Sequence, residues 1–315
     1  VQVGIPKRCV VGLGPVGTLV AHRLAAAGAP PVLVESHPPR RDGIARDGVA
    51  VRDQAPFVTG IVHPDVRTAA AAHGPFDTVL LCVKATDLAA ALPDVAAGTA
   101  PDGVVVGLHN GLDTELSMAE VLGPSRVVRG VVNFAGVLEP DGAVRMTFFH
   151  PPNYVGGLDA RSTAAAQDVA ALLTGAGLAT EAVPDIRPHV WRKVVHLAIL
   201  APLCALTRLD MRSALANREI RKTAQGLLSE CIAVGDRLGY ACDNGFFERS
   251  MRYVLEAGDH PPSMLVDLLR GRPTEVAFIN GRIVEAAERV DVPVPLNRAV
   301  AALLGAIDAS LPAAR

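Results

Sequence analysis

Through its first half the chain alternates short apolar runs with stretches of helical period. Residues 8–13, 31–35, 77–84 and 103–108 read as buried strands, apolar over lengths too short for a helix. Residues 16–28 are alanine-rich and end at Gly28, a residue that tolerates the left-handed backbone needed just past a helix. Strands alternating with helices predict a parallel sheet covered on both faces. Residues 126–149 carry β-rich runs around Pro140-Asp141-Gly142, which predicts a hairpin turn. Residues 38–42 (Pro-Pro-Arg-Arg-Asp) read as a polar loop. Beyond residue 185 the pattern changes: residues 188–206, 215–239, 245–257 and 273–290 have helical period and strand signals nearly vanish. The expected plan is an α/β domain over residues 1–185 followed by an all-helical domain over residues 186–315.

Composition narrows the class without naming a chemistry. A length of 315 residues suits two domains of roughly 100–200 residues each. Half the residues are hydrophobic and a fifth are charged, the balance of a globular chain with a large core. The net charge of −2 gives no footprint for nucleic acid or an anionic membrane, and neither partner is expected. With no apolar run of about 18 residues and no basic stretch leading into one, the expectation is a cytoplasmic protein. Cys9, Cys82, Cys204, Cys231 and Cys242 lack metal-ligand spacing and read as free thiols, with no metal site. Of 30 basic residues only Lys7, Lys84, Lys193 and Lys222 are lysine, so each lysine stands out in an arginine-rich chain.

The segment Gly12-Leu13-Gly14-Pro15-Val16-Gly17 follows an apolar strand, opens a helix and precedes a second strand ending in an acid. In that context it reads as the glycine loop of a Rossmann-type dinucleotide-binding domain. Gly12 permits the tight turn, Gly14 lets the backbone approach a pyrophosphate, and Gly17 lets helix and strand pack closely. The helix N-terminus offers N–H groups and a positive dipole end to the phosphates. Glu35, 18 residues after Gly17, is placed to accept hydrogen bonds from ribose hydroxyls and to repel a 2′-phosphate, which favours NAD. Arg40 and Arg41 keep NADP as the alternative.

Five motifs recur together in one order: GLGPVG (12–17), LLCVKATD (80–87), HNGLDTEL (109–116), WRKVVHLAILAPL (191–203) and PSMLVDLLRGRPTEVAFINGRIVEAA (262–287). As a set the chain resembles the ketopantoate reductase family. The resemblance implies a Rossmann domain followed by a helical domain of the 6-phosphogluconate dehydrogenase C-terminal type. It also implies nicotinamide-dependent reduction of a 2-keto acid to a 2-hydroxy acid. By that resemblance Lys193 is the catalytic lysine that protonates the carbonyl oxygen. Glu275 is the acid beside cofactor and substrate hydroxyls, and Ser263 binds substrate. Asn110 lies near the nicotinamide, and Lys84 ends a strand on the cofactor side. Three positions depart from the family pattern: Leu197 and Ala201 stand where asparagines are usual, four and eight residues after the lysine, and His260 stands where a third is usual.

The residues support this chemistry by themselves. Hydride transfer to a ketone builds negative charge on oxygen, which a nearby ammonium can stabilise and then protonate. Lysine suits the task because partial burial lowers its pKa, whereas guanidinium stays charged. Positions 193, 197 and 201 recur every four residues and are expected on one helix face, here a lysine followed by apolar side chains. Set against the amide ladder that the resemblance implies there, such a face points to a small-molecule carbonyl substrate more apolar or larger than ketopantoate. His196, three residues after Lys193, is a candidate for a replacement polar contact or a second acid, or else a packed histidine. His109, before Asn110, stands either near the nicotinamide or in an ordinary loop. The helical second domain suits a homodimer. Two other readings stay open: an enzyme that keeps the cofactor for a non-redox cyclisation, isomerisation or elimination, and a dinucleotide-sensing protein.

Overall fold

The computed structural model describes residues 6–52, 60–63, 65–240, 245–255 and 261–311. Cys242 and His260 lie outside the described residues. The chain forms two compact units. One comprises the residues up to His109 together with Thr114–Ile186; the other comprises Asn110–Asp113 together with the residues from Arg187 onward.

The first unit runs β1 (Arg8–Val11), α1 (Pro15–Ala26), β2 (Val32–Val34), α2 (Pro38–Asp47), β3 (Val49–Arg52), β4 (Gly60–Val62), β5 (Val66–Arg67), β6 (Phe76–Leu81), α3 (Leu88–Gly98), β7 (Thr99–Gly107), α4 (Thr114–Leu122), β8 (Val127–Val131), β9 (Phe134–Leu138), β10 (Val144–Phe149), β11 (Asn153–Gly157), α5 (Ala160–Gly175) and β12 (Thr180–Ala182). Its main sheet has the order β12-β11-β8-β7-β6-β1-β2-β5. Every neighbouring pair is parallel except β8 with β11. Alternate side chains feed two cores. Val10, Leu33, Leu80, Val106 and Val128 pack with α1 and α5, while Cys9, Val11, Val79, Leu81 and Val105 pack with α3 and α4. Burial on both faces is why these strands read as continuous apolar runs. The strand order reverses at β1, where β2 lies on one side and β6 on the other, so the loop after β1 opens at a topological switch point.

Several expectations needed revision. Residues 38–42 open helix α2, with proline in its first turn where a missing N–H costs nothing. The predicted hairpin is present as antiparallel β9 and β10, but it joins β3 and β4 in a separate sheet of order β4-β3-β10-β9. That small sheet covers α1 and contributes Val49, Val51, Phe134, Val144 and Met146 to the core. The elements β11, α5 and β12 extend the main sheet beyond the strands predicted.

The second unit contains α6 (Arg187–Ala198), α7 (Ala201–Thr207), α8 (Met211–Ala216), α9 (Arg218–Arg237), α10 (Phe246–Leu255), α11 (Ser263–Leu269), a 3-10 turn at Val276–Phe278, α12 (Asn280–Arg289) and α13 (Pro295–Ser310). The single helix expected over 188–206 is broken between α6 and α7, so Ala201 does not continue the face that carries Lys193 and Leu197. The cause is Pro202, which has no N–H to donate to the Ala198 carbonyl and whose ring crowds it. Asn280 Nδ2 donates to that carbonyl instead, at 3.1 Å, and also to Asn297 Oδ1 at 3.0 Å. Asn297 in turn donates through Nδ2 to Glu230 at 2.8 Å, and Glu230 also accepts the N–H groups of Leu296 and Asn297 at the start of α13. The helix expected over 215–239 is likewise interrupted, by Asn217, whose side chain caps α9 by accepting from Glu219 N and Ile220 N. Arg187–Thr207 has the length and hydropathy of a membrane-crossing helix, yet 67% of its apolar window is buried within the protein. Trp191 is fully buried, packed on Gly235, where a Cβ would come within 2.5 Å of the indole nitrogen.

Candidate active site

In the first unit the three loop glycines are required for three different reasons. Gly12 has φ +86°, and a Cβ there would also meet the Val83 backbone nitrogen at 2.8 Å. Gly17 packs so closely that a Cβ would lie 2.0 Å from the Gly12 carbonyl oxygen. Gly14 borders open space, with nothing within 4 Å of the point where a Cβ would stand, as a phosphate-approach position requires. Gly14 caps α1, Pro15 occupies its first turn, and Thr18 N is the first donor to return a bond, to Gly14 O at 2.9 Å. Leu13 and Val16 complete the loop. These residues fit a dinucleotide pyrophosphate.

Glu35 follows β2 and is buried, its carboxylate accepting from Leu13 N at 3.3 Å and His37 N at 2.9 Å. Arg40 Nε lies 3.8 Å from Glu35 and donates to Leu13 O at 2.6 Å, while Arg40 Nη2 donates to Thr18 Oγ1 at 2.9 Å. Arg40 is thus part of the loop's own scaffold, whereas Arg41 pairs with its neighbour Asp42. Lys84 sits just beyond β6, at the entry to a 3-10 turn over Ala85–Asp87.

Sequence reasoning missed a buried cation in this unit. Arg129 on β8 pairs with Glu115 at 3.4 Å, and its Nη1 donates to the carbonyls of Gly107, His109 and Gly130. An arginine inside an apolar strand, preceded by two valines, was the available signal. His109 is buried beside it, and burial followed by the Arg129 charge pushes its pKa down to about 3. Both effects favour its neutral form.

The second unit gathers Asn110 and Glu275, which stand 165 residues apart, into a hydrogen bond of 3.3 Å from Asn110 Nδ2 to Glu275 Oε2. Gly111 at φ +110° and Asp113 at φ +62° turn the short segment, which is fixed by Leu112 N donating to Phe278 O and by Asp113 pairing with Arg289. Glu275 is buried in the turn after Thr274, whose N–H and hydroxyl both donate to Asp308 on α13. That Thr274–Asp308 anchor was not foreseen.

Lys193 lies on α6, partly buried, and desolvation pushes its pKa down to about 8. His196, one turn on, bonds through Nε2 to Ser250 Oγ at 3.1 Å, and burial followed by the Lys193 charge pushes its pKa down to about 4. Both effects favour the neutral imidazole over the charged acid form. Leu197 is partly exposed and Ala201 is buried at the start of α7. Ser263 is exposed in the first turn of α11. Among the described residues no group of three or more His, Cys, Asp or Glu side chains is placed to hold a metal ion. Cys9, Cys82, Cys204 and Cys231 are free thiols.

Residues 9–159 match the family model described as ketopantoate reductase PanE/ApbA, and residues 185–308 match ketopantoate reductase PanE/ApbA C terminal. The chain belongs to the ketopantoate reductase family. A 2-dehydropantoate 2-reductase of Archaeoglobus fulgidus is 32% identical over 236 residues, covering 75% of this chain and 78% of that protein. One from Mycobacterium tuberculosis is 31% identical over 299 residues, covering 94% and 96%. Three solved structures share the fold. A Geobacter metallireducens 2-dehydropantoate 2-reductase has TM-score 0.87 at 24% identity, covering 95% of this chain and 99% of that one. A D-mandelate dehydrogenase with NADH and anilino(oxo)acetate has TM-score 0.87 at 21% identity, covering 97% and 99%. A dimeric Staphylococcus aureus ketopantoate reductase has TM-score 0.81 at 19% identity, covering 97% and 100%. As a member of the ketopantoate reductase family the chain is a nicotinamide-dependent oxidoreductase acting on a CH–OH or C=O group.

Proposed function

We propose that this family member reduces a 2-keto acid more apolar or larger than ketopantoate, with Lys193 as the general acid. The observation that carries the reading is Lys193 itself, a partly buried ammonium with its pKa lowered to about 8. Such a group is charged at neutral pH, stabilises a developing alkoxide, and gives up its proton readily. Bound NADH supplies the hydride. Glu275, oriented by the Asn110 amide, stands beside cofactor and substrate, and Ser263 contributes a hydroxyl from α11. The first unit carries the cofactor on Gly12–Gly17 with Lys84, and the second carries the substrate.

Preference for NAD over NADP follows from Glu35, a buried carboxylate at the end of β2 that would repel a 2′-phosphate. Arg40, the residue favouring NADP, is already committed to Leu13 O and Thr18 Oγ1. The apolar substrate follows from Leu197, which replaces an amide one turn beyond the lysine. A homodimer is proposed by analogy with the dimeric Staphylococcus aureus relative. The test is oxidation of NADH and of NADPH across a panel of 2-keto acids. Lys193→Met is expected to lose about 10²–10⁴-fold in kcat while still binding NADH. A rate near that of the wild type would end the assignment.

A further inference from the structure

We infer that α10 sets substrate choice: the stacked rings of Phe246, His196 and Tyr253, pinned by Ser250, form an aromatic wall one turn along α6 from Lys193 that selects 2-keto acids bearing a flat aryl group. The inference rests on the reductase reading above and specifies its substrate.

Phe246, Ser250 and Tyr253 are spaced four and three residues apart, so they form one stripe along α10. All three meet the same side chain of α6. The His196 ring centroid lies 4.6 Å from that of Tyr253 with 21° between planes, and 5.8 Å from that of Phe246 with 16° between planes. Near-parallel contacts on this scale are attractive and hold an imidazole in one plane. Ser250 is fully buried and its hydroxyl reaches His196 Nε2 at 3.1 Å, so the ring cannot turn without leaving a buried hydroxyl bare. His196 stays neutral in this setting, being partly buried and close to the Lys193 charge. The wall therefore presents uncharged rings, His196 and Tyr253 backed by the buried Phe246, rather than a second cation.

Exposure says which part is open. Phe246 is buried, whereas His196, Tyr253 and Leu197 keep accessible surface. Leu197 follows His196 on α6 and adds an apolar side chain where the family pattern has an amide. A polyhydroxylated substituent would lose its hydrogen-bond partners against these groups, while an aryl ring would stack on them. The carbonyl and carboxylate ends of such a substrate are common to all 2-keto acids, so discrimination falls to this wall. The redox balance is that of the reductase reading: one hydride from NADH to the carbonyl carbon and one proton to its oxygen.

Two experiments test the wall. In the wild-type enzyme, benzoate and cyclohexanecarboxylate are compared as inhibitors competitive with the keto acid; they match in carbon count and charge but only the first is flat. Benzoate is expected to bind about 2- to 10-fold more tightly, the gain of one aromatic stack. Equal or reversed affinity overturns the inference without touching the reductase assignment. In the second, kcat and KM are measured for phenylglyoxylate and 2-oxoisovalerate. Tyr253→Leu is expected to lower the phenylglyoxylate selectivity ratio about 2- to 10-fold, mainly through KM, and Tyr253→Phe to retain it. Ser250→Ala should shift the same ratio in the same direction. A ratio unmoved in Tyr253→Leu and Ser250→Ala marks these residues as structural only. If the wild type reduces no 2-keto acid with either cofactor, the reductase reading itself falls, and this inference with it.

Discussion

Lys193 gives the most direct prediction at the scale of single residues. With Lys193 as the proposed general acid, reduction needs the protonated ammonium, so kcat/KM in that direction should be level below about pH 8 and fall about tenfold per pH unit above it. The reverse oxidation should rise over the same range, and the limb should vanish in Lys193→Met. The same lowered pKa bears on folding. Between about 8 and the unfolded value of 10.5 the unfolded chain binds more protons, so this group's contribution to stability rises with pH there. Residues with local reasons were legible: Gly12, Gly14 and Gly17 each meet the constraint their spacing implied. Asn110 and Glu275 were legible only as parts of motifs, and nothing in their spacing fixes a contact across 165 residues. The state of His196 was not legible, because its neutrality depends on Ser250 and the rings of another helix.

Among the elements, the break between α6 and α7 shows how a local rule propagates. Pro202 was visible in the sequence, but the helical period around it was strong enough to suggest one continuous helix. The group that accommodates the break, Asn280, comes from α12 and is visible only in three dimensions. Asn280→Leu would leave the Ala198 carbonyl and Asn297 Oδ1 without this donor, at a cost of about 1–3 kcal/mol for each buried acceptor left bare. Pro202→Ala restores an N–H for the same carbonyl. It should therefore be better tolerated in the Asn280→Leu background than in the wild type, a coupling that urea denaturation of the four-member cycle would measure. Strict additivity would show that the two groups do not serve one carbonyl. The small sheet of β3, β4, β9 and β10 was legible only as a hairpin, since its other two strands pair across long stretches of sequence.

For the whole molecule, the alternation of strands and helices followed by helices alone was readable because each half obeys a single hydrophobic period. Less readable was the course of the chain, which joins the second unit at Asn110, returns to the first at Thr114, and leaves it finally at Arg187. Those four residues are an island of early sequence within a late unit. They hold Phe278 through Leu112, Arg289 through Asp113, and Glu275 through Asn110. Anyone cutting the gene at the obvious junction would therefore produce two incomplete pieces. A fragment beginning at Arg187 is expected to show faster amide hydrogen exchange across residues 275–289 than the same segment of the intact chain. Protection equal to that of the intact protein would show the graft to be dispensable. If the graft is needed, the two units cannot be exchanged between relatives as modules, and a functional chimera has to inherit Asn110–Asp113 from the same parent as its helices.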